Sequence, residues 1–273
     1  MRIIRGKRAL VTGAASGIGR AITLALAGEG ADLYLLDMDE RGLAAVAAEA
    51  GEYGIKVVSR ACDLARPEEV TAAGNALLQR WGGLDILVNN AGISYHGKTE
   101  DMTAEHWNRL VGVNLLAPIQ LTRQLLPALL AQDEAHILNM CSILGLVAIP
   151  RFTAYQVSKF GLVGFSESLR AEYTCRGLGV TALCPGFVRT NMYQAMLNGT
   201  GARPMRPPPR WFFATPELVA RKALKAIYRN QGVVTVTGLA RFLWFVKRLT
   251  PRLWDFASRA RMKRKQVPVS PSP

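Results

Sequence analysis

The sequence predicts an α/β fold: a doubly wound, mostly parallel sheet of seven strands with helices on both faces, followed by C-terminal amphipathic helices. Two observations predict the sheet. Short runs rich in β-branched or apolar residues alternate with longer Ala- and Leu-rich stretches, which is the pattern of repeated βαβ units. Some short runs, such as 85–89 and 136–141, are almost continuously apolar, as strands covered on both faces of a parallel sheet must be. At 273 residues and 49% hydrophobic composition, the chain can bury one large core.

Each predicted strand is a run of five or six residues, and each predicted helix is a longer stretch that follows such a run. The strands are predicted at residues 8–12, 32–37, 56–61, 85–89, 136–141, 179–184 and 233–237. The helices are predicted at residues 17–28, 40–50, 67–81, 104–131, 154–176 and 216–230. Because strand and helix alternate over most of this region, residues 1–238 are predicted to form one domain.

One stretch of that domain, residues 187–215, breaks the alternation. It holds a Gly-, Pro- and Arg-rich section and large apolar side chains, namely Met192, Tyr193, Met196, Trp211, Phe212 and Phe213. A loop of this length in a compact domain usually covers or lines a binding site. We therefore expect a substrate lid here, and its side chains favour an apolar substrate.

Positive charge is concentrated near the C-terminus. The chain has a formal net charge of +14, but residues 1–200 hold 18 Lys and Arg against 18 Asp and Glu. Residues 201–273 hold 16 Lys and Arg against only Glu217 and Asp255. A protein that binds nucleic acid through its folded body should spread positive charge over that body. The neutral body therefore disfavours a nucleic-acid partner.

Residues 239–265 are basic and aromatic, and their spacing predicts an extension of two amphipathic helices. Thr250 suits a helix N-cap and Pro251 the first helical position, so one helix should end near Leu249 and the next begin at Pro251. The apolar positions repeat every four and three residues, at Phe242, Val246, Leu249, Leu253, Phe256 and Ala260. Charged residues take another face, at Arg241, Arg248, Arg252, Asp255 and Arg259. The last residues, 266–273, are expected to be disordered.

Four roles for this extension are open at the level of sequence. Its apolar face could pack on the body or on a partner subunit, with the charges in solvent. It could make peripheral contact with a membrane, because Trp and Phe enter the headgroup boundary while Lys and Arg meet anionic lipid. It could form a flap over an active-site mouth, or it could bind an acidic partner such as nucleic acid.

The two ends of the chain and its cysteines indicate a reducing compartment. The basic N-terminal residues run directly into the first strand rather than into a long apolar segment with a cleavage site, so no signal peptide is expected. The densest apolar run of the extension is far shorter than the roughly 18 residues that cross a bilayer. The four cysteines and three histidines show no ligand spacing, so neither a disulfide framework nor a metal site is expected. We expect a cytoplasmic protein, with peripheral membrane contact as the alternative given above.

The first predicted strand ends in a glycine-rich turn, TGAASGIG at residues 12–19, and an apolar helix follows. Glycine is needed there because the chain bends tightly and the backbone must approach a pyrophosphate, which the free N–H groups of the helix then bind. The spacing G-x-x-x-G-x-G departs from the general dinucleotide motif, so the turn alone is weak evidence. The residues predicted to bind a cofactor here are Gly13, Ser16, Gly17, Ile18 and Gly19.

The second predicted strand adds an acidic residue at its end. Asp37 lies about 20 residues beyond the glycines, where a carboxylate can accept a hydrogen bond from an adenosine ribose 2′-OH and repel a 2′-phosphate. It predicts NAD rather than NADP as the cofactor of a Rossmann-type fold. Arg41 and the basic N-terminal residues would weaken that preference.

Tyr155 and Lys159 stand four residues apart, so they share one face of a predicted helix. A phenol with an ordinary pKa of about 10 is a poor base at neutral pH, but a neighbouring ammonium and a positive nicotinamide ring favour the phenolate. The pair would then serve as an acid and base. Asn114 and Ser142 are further polar candidates. Ser142 lies just past the fifth predicted strand.

Taken together, these motifs resemble the short-chain dehydrogenase/reductase family, in its single-domain form, over roughly residues 7–237. The resemblance is carried by the glycine-rich turn, NNAG at 89–92, Asn114, Ser142, the YxxxK pair, and Pro-Gly at 185–186 with Thr190. It implies that Tyr155 exchanges a proton with the substrate oxygen, which Ser142 holds. It also implies that Lys159 binds nicotinamide ribose hydroxyls and lowers the pKa of Tyr155, while Asn114 supports a water linked to that lysine.

The resemblance implies further cofactor contacts and an oligomer. The contacts it adds are Asp63 and Leu64 near the adenine, Asn90, Ala91 and Gly92 along the cofactor, and Pro185, Gly186, Val188 and Thr190 around the nicotinamide carboxamide, besides Tyr155 and Lys159. The oligomer would be a homodimer or homotetramer built through the predicted helices at 104–131 and 154–176.

The sequence therefore predicts an NAD(P)-dependent oxidoreductase that interconverts a secondary alcohol and a ketone on an apolar, steroid- or lipid-like substrate. The alternative is a membrane-associated regulatory protein that binds NAD without turning over any substrate. Oxidation or reduction of a substrate distinguishes the two.

Overall fold

The computed structural model describes residues 1–190, 192, 196–198, 212–252 and 255. Within them the strands are β1 (Arg8–Thr12), β2 (Asp32–Asp37), β3 (Val57–Ala61), β4 (Ile86–Asn89), β5 (Tyr95–His96), β6 (Ala135–Met140), β7 (Leu178–Cys184), β8 (Leu197–Asn198) and β9 (Val233–Thr235). The α-helices are α1 (Gly17–Gly28), α2 (Glu40–Gly51), α3 (Pro67–Trp81), α4 (Ala104–Val111), α5 (Ala117–Leu130), α6 (Thr153–Tyr173), α7 (Pro216–Tyr228) and α8 (Gly238–Leu249). A π-helical turn, Gly112–Leu116, joins α4 to α5.

Seven strands form one sheet in the order β3-β2-β1-β4-β6-β7-β9, and every neighbouring pair in it is parallel. The chain runs outward from β1 through β2 to β3 and then crosses to β4 on the other side of β1, so the strand order reverses between β1 and β4. In open α/β sheets, ligands bind outside the carboxyl ends of the strands at such a reversal. The predicted doubly wound, Rossmann-type sheet is confirmed.

Two core layers cover the two faces of this sheet, because successive residues of a strand point to opposite sides. Ala9 and Val11 of β1 pack in one layer with side chains of α1, α2 and α7. Leu10 of β1 and Tyr34 of β2 pack in the other layer with side chains of α3 and α5. Both faces are therefore filled with apolar side chains, and polar groups collect at the strand ends.

The structure adds detail to two predicted helices and contains one small sheet that was not predicted. The helical segment predicted at 104–131 is confirmed, but a π-helical turn at Gly112–Leu116 divides it into two α-helices. The helix predicted at 154–176 ends at Tyr173 and closes in a 3₁₀ turn, Thr174–Arg176. The small parallel sheet of β5 and β8 was not predicted, since strands of two residues leave no periodic pattern in a sequence.

The C-terminal helix α8 ends at Leu249, as the sequence predicts. The Thr250 hydroxyl donates to the Val246 carbonyl oxygen at 2.7 Å, so this side chain closes α8, although the sequence predicted it as the cap of the next helix. Pro251 and Arg252 are again helical. Most of the second predicted helix, the predicted disordered segment 266–273 and much of the predicted lid lie outside the described residues. Among the residues described, no helix combines the length and apolar composition that a membrane crossing requires.

Candidate active site

One large cavity, of about 1510 Å³, opens at the carboxyl edge of the sheet where the strand order reverses. The segments that follow β1, β4, β6 and β7 contribute to its wall. The predicted site residues that line it are Gly13, Ser16, Gly17, Ile18, Gly19, Asp37, Asp63, Leu64, Asn90, Ala91, Gly92, Ser142, Tyr155, Lys159, Pro185, Gly186, Val188 and Thr190. Of the predicted site residues, Asn114 alone does not line the cavity.

The glycine-rich turn between β1 and α1 leaves no room for side chains. Gly13 has φ +66°, and a Cβ atom at this position would lie 2.8 Å from the Ala91 Cα. A Cβ atom on Gly19 would collide with the Gly13 carbonyl oxygen, and one on Gly17 would lie 3.2 Å from Thr190 Cγ2. The turn is therefore a cradle of bare backbone. It fits a group that must approach the main chain closely, such as the pyrophosphate of a dinucleotide.

The N-terminus of α1 faces the same cavity. Ser16 is the N-cap residue, but its side chain makes no capping hydrogen bond, and the first turn of α1 contains no acidic residue. The first N–H groups of a helix have no intrahelical acceptor and carry the positive end of the helix dipole. Because Ser16, Gly17 and Ile18 line the cavity, these groups form an anion site that suits phosphate.

Asp37 ties the glycine-rich turn to the end of β2. Its Oδ2 accepts a hydrogen bond from the Ala15 N–H at 2.9 Å, and its Oδ1 accepts one from the Asp39 N–H at 3.1 Å. The residue also lines the cavity, next to the cradle. A carboxylate held there can accept a hydrogen bond from a ribose hydroxyl and repel a second phosphate.

Thr12 and Asn90 clamp the ends of β1 and β4 together. The Thr12 Oγ1 accepts hydrogen bonds from the N–H groups of Asn90 and Ala91 at 3.0 and 3.1 Å. The Asn90 Nδ2 donates in return to the carbonyl oxygens of Thr12 and Gly13 at 3.0 and 3.2 Å. These four bonds fix the floor of the cavity at the strand reversal. Sequence reasoning missed Thr12, because only its cross-strand partners reveal its role.

Three polar side chains meet along the cavity wall. Ser142 follows β6, whereas Tyr155 and Lys159 lie on α6. The Lys159 Nζ donates to the Met140 carbonyl oxygen at 2.8 Å and lies 5.7 Å from the centroid of the Tyr155 ring. Ser142 hydrogen-bonds to Tyr155, and its Oγ accepts from the Leu144 N–H at 3.1 Å. The fold therefore brings the serine to the tyrosine and lysine, which the sequence separates by more than ten residues.

Burial changes the acid–base properties of this group. It raises the pKa of Tyr155 to about 12, and the hydrogen bond with Ser142 offsets only part of that effect. Burial also lowers the pKa of Lys159 to about 8. In the protein alone, desolvation thus outweighs the lowering of the tyrosine pKa that the family resemblance implies. A positive charge bound beside the phenol would favour the phenolate.

Asn114 supports the cavity from behind its wall. It lies in the π-helical turn and is fully buried. Its Oδ1 accepts from the Ile93 N–H at 2.8 Å, and its Nδ2 donates to the Ile93 carbonyl oxygen at 2.9 Å and to Ser158 Oγ at 3.2 Å. Because Ile93 lines the cavity, these bonds make Asn114 a positioning residue that joins the segment after β4 to α6.

Asp63 and Leu64 line the cavity just after β3. The Asp63 Oδ1 accepts from the Ala65 N–H at 2.9 Å, and Arg109 Nη2 lies 3.7 Å from Asp63 Oδ2. Arg109 of α4 also lines the cavity. Sequence reasoning missed this arginine, because the spacing of residues in α4 does not say which element the helix meets.

Apolar side chains from distant segments line the remaining part of the cavity. The segment after β6 contributes Ile143, Leu144, Val147, Ala148 and Ile149, and the predicted lid contributes Phe187, Met192, Met196 and Phe212. Phe213 contacts Phe187, with ring centroids 5.9 Å apart, whereas Tyr193 and Trp211 lie outside the described residues. Leu239 and Leu243 of α8 complete this lining. Their spacing of four marks a shared helix face, but only the fold shows that this face meets the cavity.

The sequence and structure were compared with known proteins. The family profile described as short chain dehydrogenase matches residues 7–200. A D-beta-hydroxybutyrate dehydrogenase from Cupriavidus necator is 37% identical over 193 residues, which cover 70% of this chain and 74% of the relative. The zebrafish (Danio rerio) protein named dehydrogenase/reductase SDR family member 7B is 33% identical over 268 residues, which cover 94% of this chain and 87% of the relative.

A solved structure gives the same result. The crystal structure of a short chain dehydrogenase/reductase from Burkholderia phymatum in complex with NAD superposes with a TM-score of 0.81. It is 26% identical, and the match covers 100% of both chains. The chain therefore belongs to the short-chain dehydrogenase/reductase family of oxidoreductases, as the resemblance of its motifs predicts.

Proposed function

We propose that the protein is an NAD-preferring oxidoreductase that interconverts a secondary alcohol and a ketone on an apolar, steroid- or lipid-like substrate. One observation carries this proposal. Ser142, Tyr155 and Lys159 line the same cavity as the bare glycine cradle, and the cavity continues into an apolar chamber. A single space can therefore hold a dinucleotide and an apolar substrate with the proton-transfer group beside both.

The cradle at Gly13, Gly17 and Gly19 and the N-terminus of α1 would hold the pyrophosphate, and Lys159 would bind the nicotinamide ribose. The bound nicotinamide supplies or accepts the hydride. In reduction, the Tyr155 hydroxyl donates its proton to the substrate carbonyl oxygen; in oxidation, the phenolate removes the proton of the alcohol. The pKa of about 12 keeps the Tyr155 hydroxyl protonated at neutral pH in the protein alone, and a positive charge nearby is needed to favour the phenolate.

Ser142 and Lys159 serve Tyr155 in different ways. Since Ser142 Oγ accepts from the Leu144 N–H, its own hydrogen is directed to the phenol or to a substrate oxygen. Lys159 is held by the Met140 carbonyl oxygen, so its ammonium stays near the tyrosine ring. Both groups stabilise negative charge on oxygen during proton transfer.

The preference for NAD rests on Asp37. Its carboxylate is fixed by two backbone N–H groups beside the glycine cradle. A fixed negative charge there repels the extra phosphate of NADP and accepts a hydrogen bond from the ribose of NAD.

The apolar substrate class rests on the lining of the chamber. Its walls are aliphatic, aromatic and methionine side chains from the segment after β6, the predicted lid and α8. Such a surface gains most from burying apolar area of a ligand. Short, charged substrates would leave much of this lining in water.

We also propose a homodimer or homotetramer built through α5 and α6. Leu116, next to α5, and Val157 and Phe160 of α6 are exposed large apolar side chains on the described surface. Apolar side chains on neighbouring helices are typical of subunit contacts. Light scattering of the full chain tests this proposal, and a monomer at micromolar concentration would contradict it.

A substrate screen tests the proposed function. The protein would be assayed with NADH and NADPH on a panel of ketones of increasing apolar size, and with the oxidised cofactors on the matching alcohols. Tyr155→Phe should lower kcat/KM by about 10²- to 10⁴-fold, because it removes the proton donor, and NADH binding should persist.

Tyr173→Phe is the matched control, since it removes a hydroxyl from the same helix outside the cavity. It should leave kcat/KM unchanged. Intact NADH binding with no turnover of any panel member would support the alternative, a regulatory protein that binds NAD. Equal activity of Tyr155→Phe and the parent would refute the assigned chemistry.

A further inference from the structure

Helix α8 is fixed against the body by one of its faces. Ala240 is buried, and Trp244 packs against the same apolar cluster. The Lys247 Nζ donates to the Leu146 carbonyl oxygen at 2.8 Å and lies 4.7 Å from the centroid of the Phe160 ring. These contacts hold α8 beside the segment that follows β6, which itself lines the cavity.

A second face of α8 forms part of the cavity rim. Leu239 and Leu243 line the cavity, and Leu239 is also 45% exposed to solvent. A residue that both lines a cavity and contacts solvent marks its opening. The first turn of α8 therefore forms one edge of the cavity mouth.

A third face of α8 is apolar and exposed. Phe242, Phe245 and Leu249 are 62%, 59% and 62% exposed, and their spacing of three and four places them side by side. We call these three residues the docking face. Single exposed apolar side chains are common, but two phenylalanines and a leucine together are a patch that water disfavours. Leu239 stands three residues before Phe242, so the docking face adjoins the cavity rim.

The charge around the docking face selects its partner. Arg241, Arg248 and Arg252 are exposed beside it, and α8 contains no acidic residue. Residues 256–273 lie outside the described residues, and their sequence contains five further cations and no acidic residue, namely Arg259, Arg261, Lys263, Arg264 and Lys265. A two-fold contact between copies of this chain would bring the same positive surfaces together, which is repulsive. An anionic lipid surface complements both the apolar and the positive parts.

We propose that the docking face of α8 binds the surface of an anionic lipid membrane and sets the cavity rim against it. The two phenylalanine rings and Leu249 enter the headgroup boundary, while the arginines contact lipid phosphates and carboxylates. An apolar substrate then passes from the lipid along Leu239 into the cavity. This last step rests on the proposed function, whereas the docking does not.

Co-sedimentation with vesicles tests the docking. The full-length chain should bind vesicles that contain phosphatidylserine, bind pure phosphatidylcholine vesicles far more weakly, and lose binding as salt rises. The triple variant Phe242→Ser, Phe245→Ser, Leu249→Ser should weaken partitioning by about tenfold or more. Arg241→Gln with Arg248→Gln should reduce the preference for phosphatidylserine, because it removes two of the cations beside the docking face.

The matched control replaces two exposed apolar residues elsewhere, Ile3→Ser with Tyr53→Ser, and should bind like the parent. Melting temperature and NADH binding verify that each variant folds. Equal partitioning of the parent and the triple variant, or equal binding to both vesicle types, overturns the docking. A lower molar mass of the triple variant without lipid would assign the face to a second copy and overturn it too.

Turnover is measured separately, on a small water-soluble ketone. Vesicle binding without turnover would leave the docking intact and refute the proposed function. Turnover without vesicle binding would support the proposed function and refute the docking.

Discussion

The two ends of the cavity are built from different parts of the chain. The glycine-rich end is bare backbone at the carboxyl ends of β1, β2 and β4, fixed by hydrogen bonds of Thr12, Asn90 and Asp37. The apolar end consists of side chains from the segment after β6, the predicted lid and α8. A cradle of bare backbone has no room for one added side-chain atom. A chamber lined by side chains changes its volume when one of those side chains is replaced. The first end is therefore sensitive to a single added atom, whereas the second tolerates replacements that change its volume.

The largest expected effect comes from adding one methyl group to the cradle. In Gly19→Ala the new Cβ would collide with the Gly13 carbonyl oxygen, so the turn must open. We expect NADH affinity, measured by fluorescence titration, to fall by about 10- to 100-fold, because overpacking a tight site costs about 1–3 kcal/mol. Gly51→Ala is the control, because its Cβ would meet no atom within 4 Å. Normal NADH affinity of Gly19→Ala would break the distinction between the two ends.

The negative charge of Asp37, at the glycine-rich end of the cavity, should set the preference between NADH and NADPH. Asp37→Asn keeps an acceptor for the Ala15 N–H but removes the negative charge. We expect the ratio of NADH to NADPH affinities to fall by about tenfold, since the repulsion of the 2′-phosphate is lost. Asp32→Asn, at the other end of β2, should leave the ratio unchanged. An unchanged ratio for Asp37→Asn would show that other groups select the cofactor.

The apolar end should respond more weakly and in a substrate-dependent way. Leu243→Ala removes apolar side-chain atoms from the chamber wall at α8, so a bound ketone loses contacts there. The KM for the largest accepted ketone should rise by a factor of about five, while the KM for small ketones is unaffected. Leu249→Ala, assayed without lipid, is the control, because Leu249 lies on the same helix outside the cavity. A uniform change for all ketones would indicate a structural defect instead of a specificity effect.

The smallest expected effect is on stability and depends on pH. Burial lowers the pKa of Lys159 to about 8, so below pH 8 the folded protein holds a charge that would be better solvated in the unfolded chain. Lys159→Met should therefore raise the free energy of unfolding at pH 7, on the order of 1 kcal/mol, while it abolishes turnover. As pH rises from 8 towards the ordinary lysine pKa of about 10.5, folded Lys159 becomes neutral and the difference should shrink.

Urea unfolding of the cofactor-free protein at several pH values measures this difference. Leu162→Met, at a buried position of the same helix, controls for the substitution by methionine, and its effect should not vary with pH. A constant difference between Lys159→Met and the parent would mean that Lys159 is not desolvated.

Sequence reasoning worked best where backbone conformation or helix spacing requires particular residues. The glycine cradle, Asp37 and the Tyr155–Lys159 pair were all predicted, because a positive φ, a strand end and an i, i+4 spacing are local properties. It did not foresee the π-helical turn inside the predicted helix 104–131, and it was incomplete at Thr12 and Arg109. Those features depend on partners from distant parts of the chain, and no local pattern encodes the partner.

The sequence by itself determined the order of strands and helices, the glycine cradle and the Tyr155–Lys159 pair, because hydrophobic periodicity, glycine placement and an i, i+4 spacing act over short distances along the chain. The tertiary structure placed Ser142 beside that pair. Only the tertiary structure decided which surface each face of α8 meets. Its sequence shows an amphipathic, basic helix, but its packing divides the apolar residues between the body, the cavity rim and the exposed docking face. That division depends on which surface is left uncovered once β6, α6 and the cavity are in place, and this is a property of the whole fold.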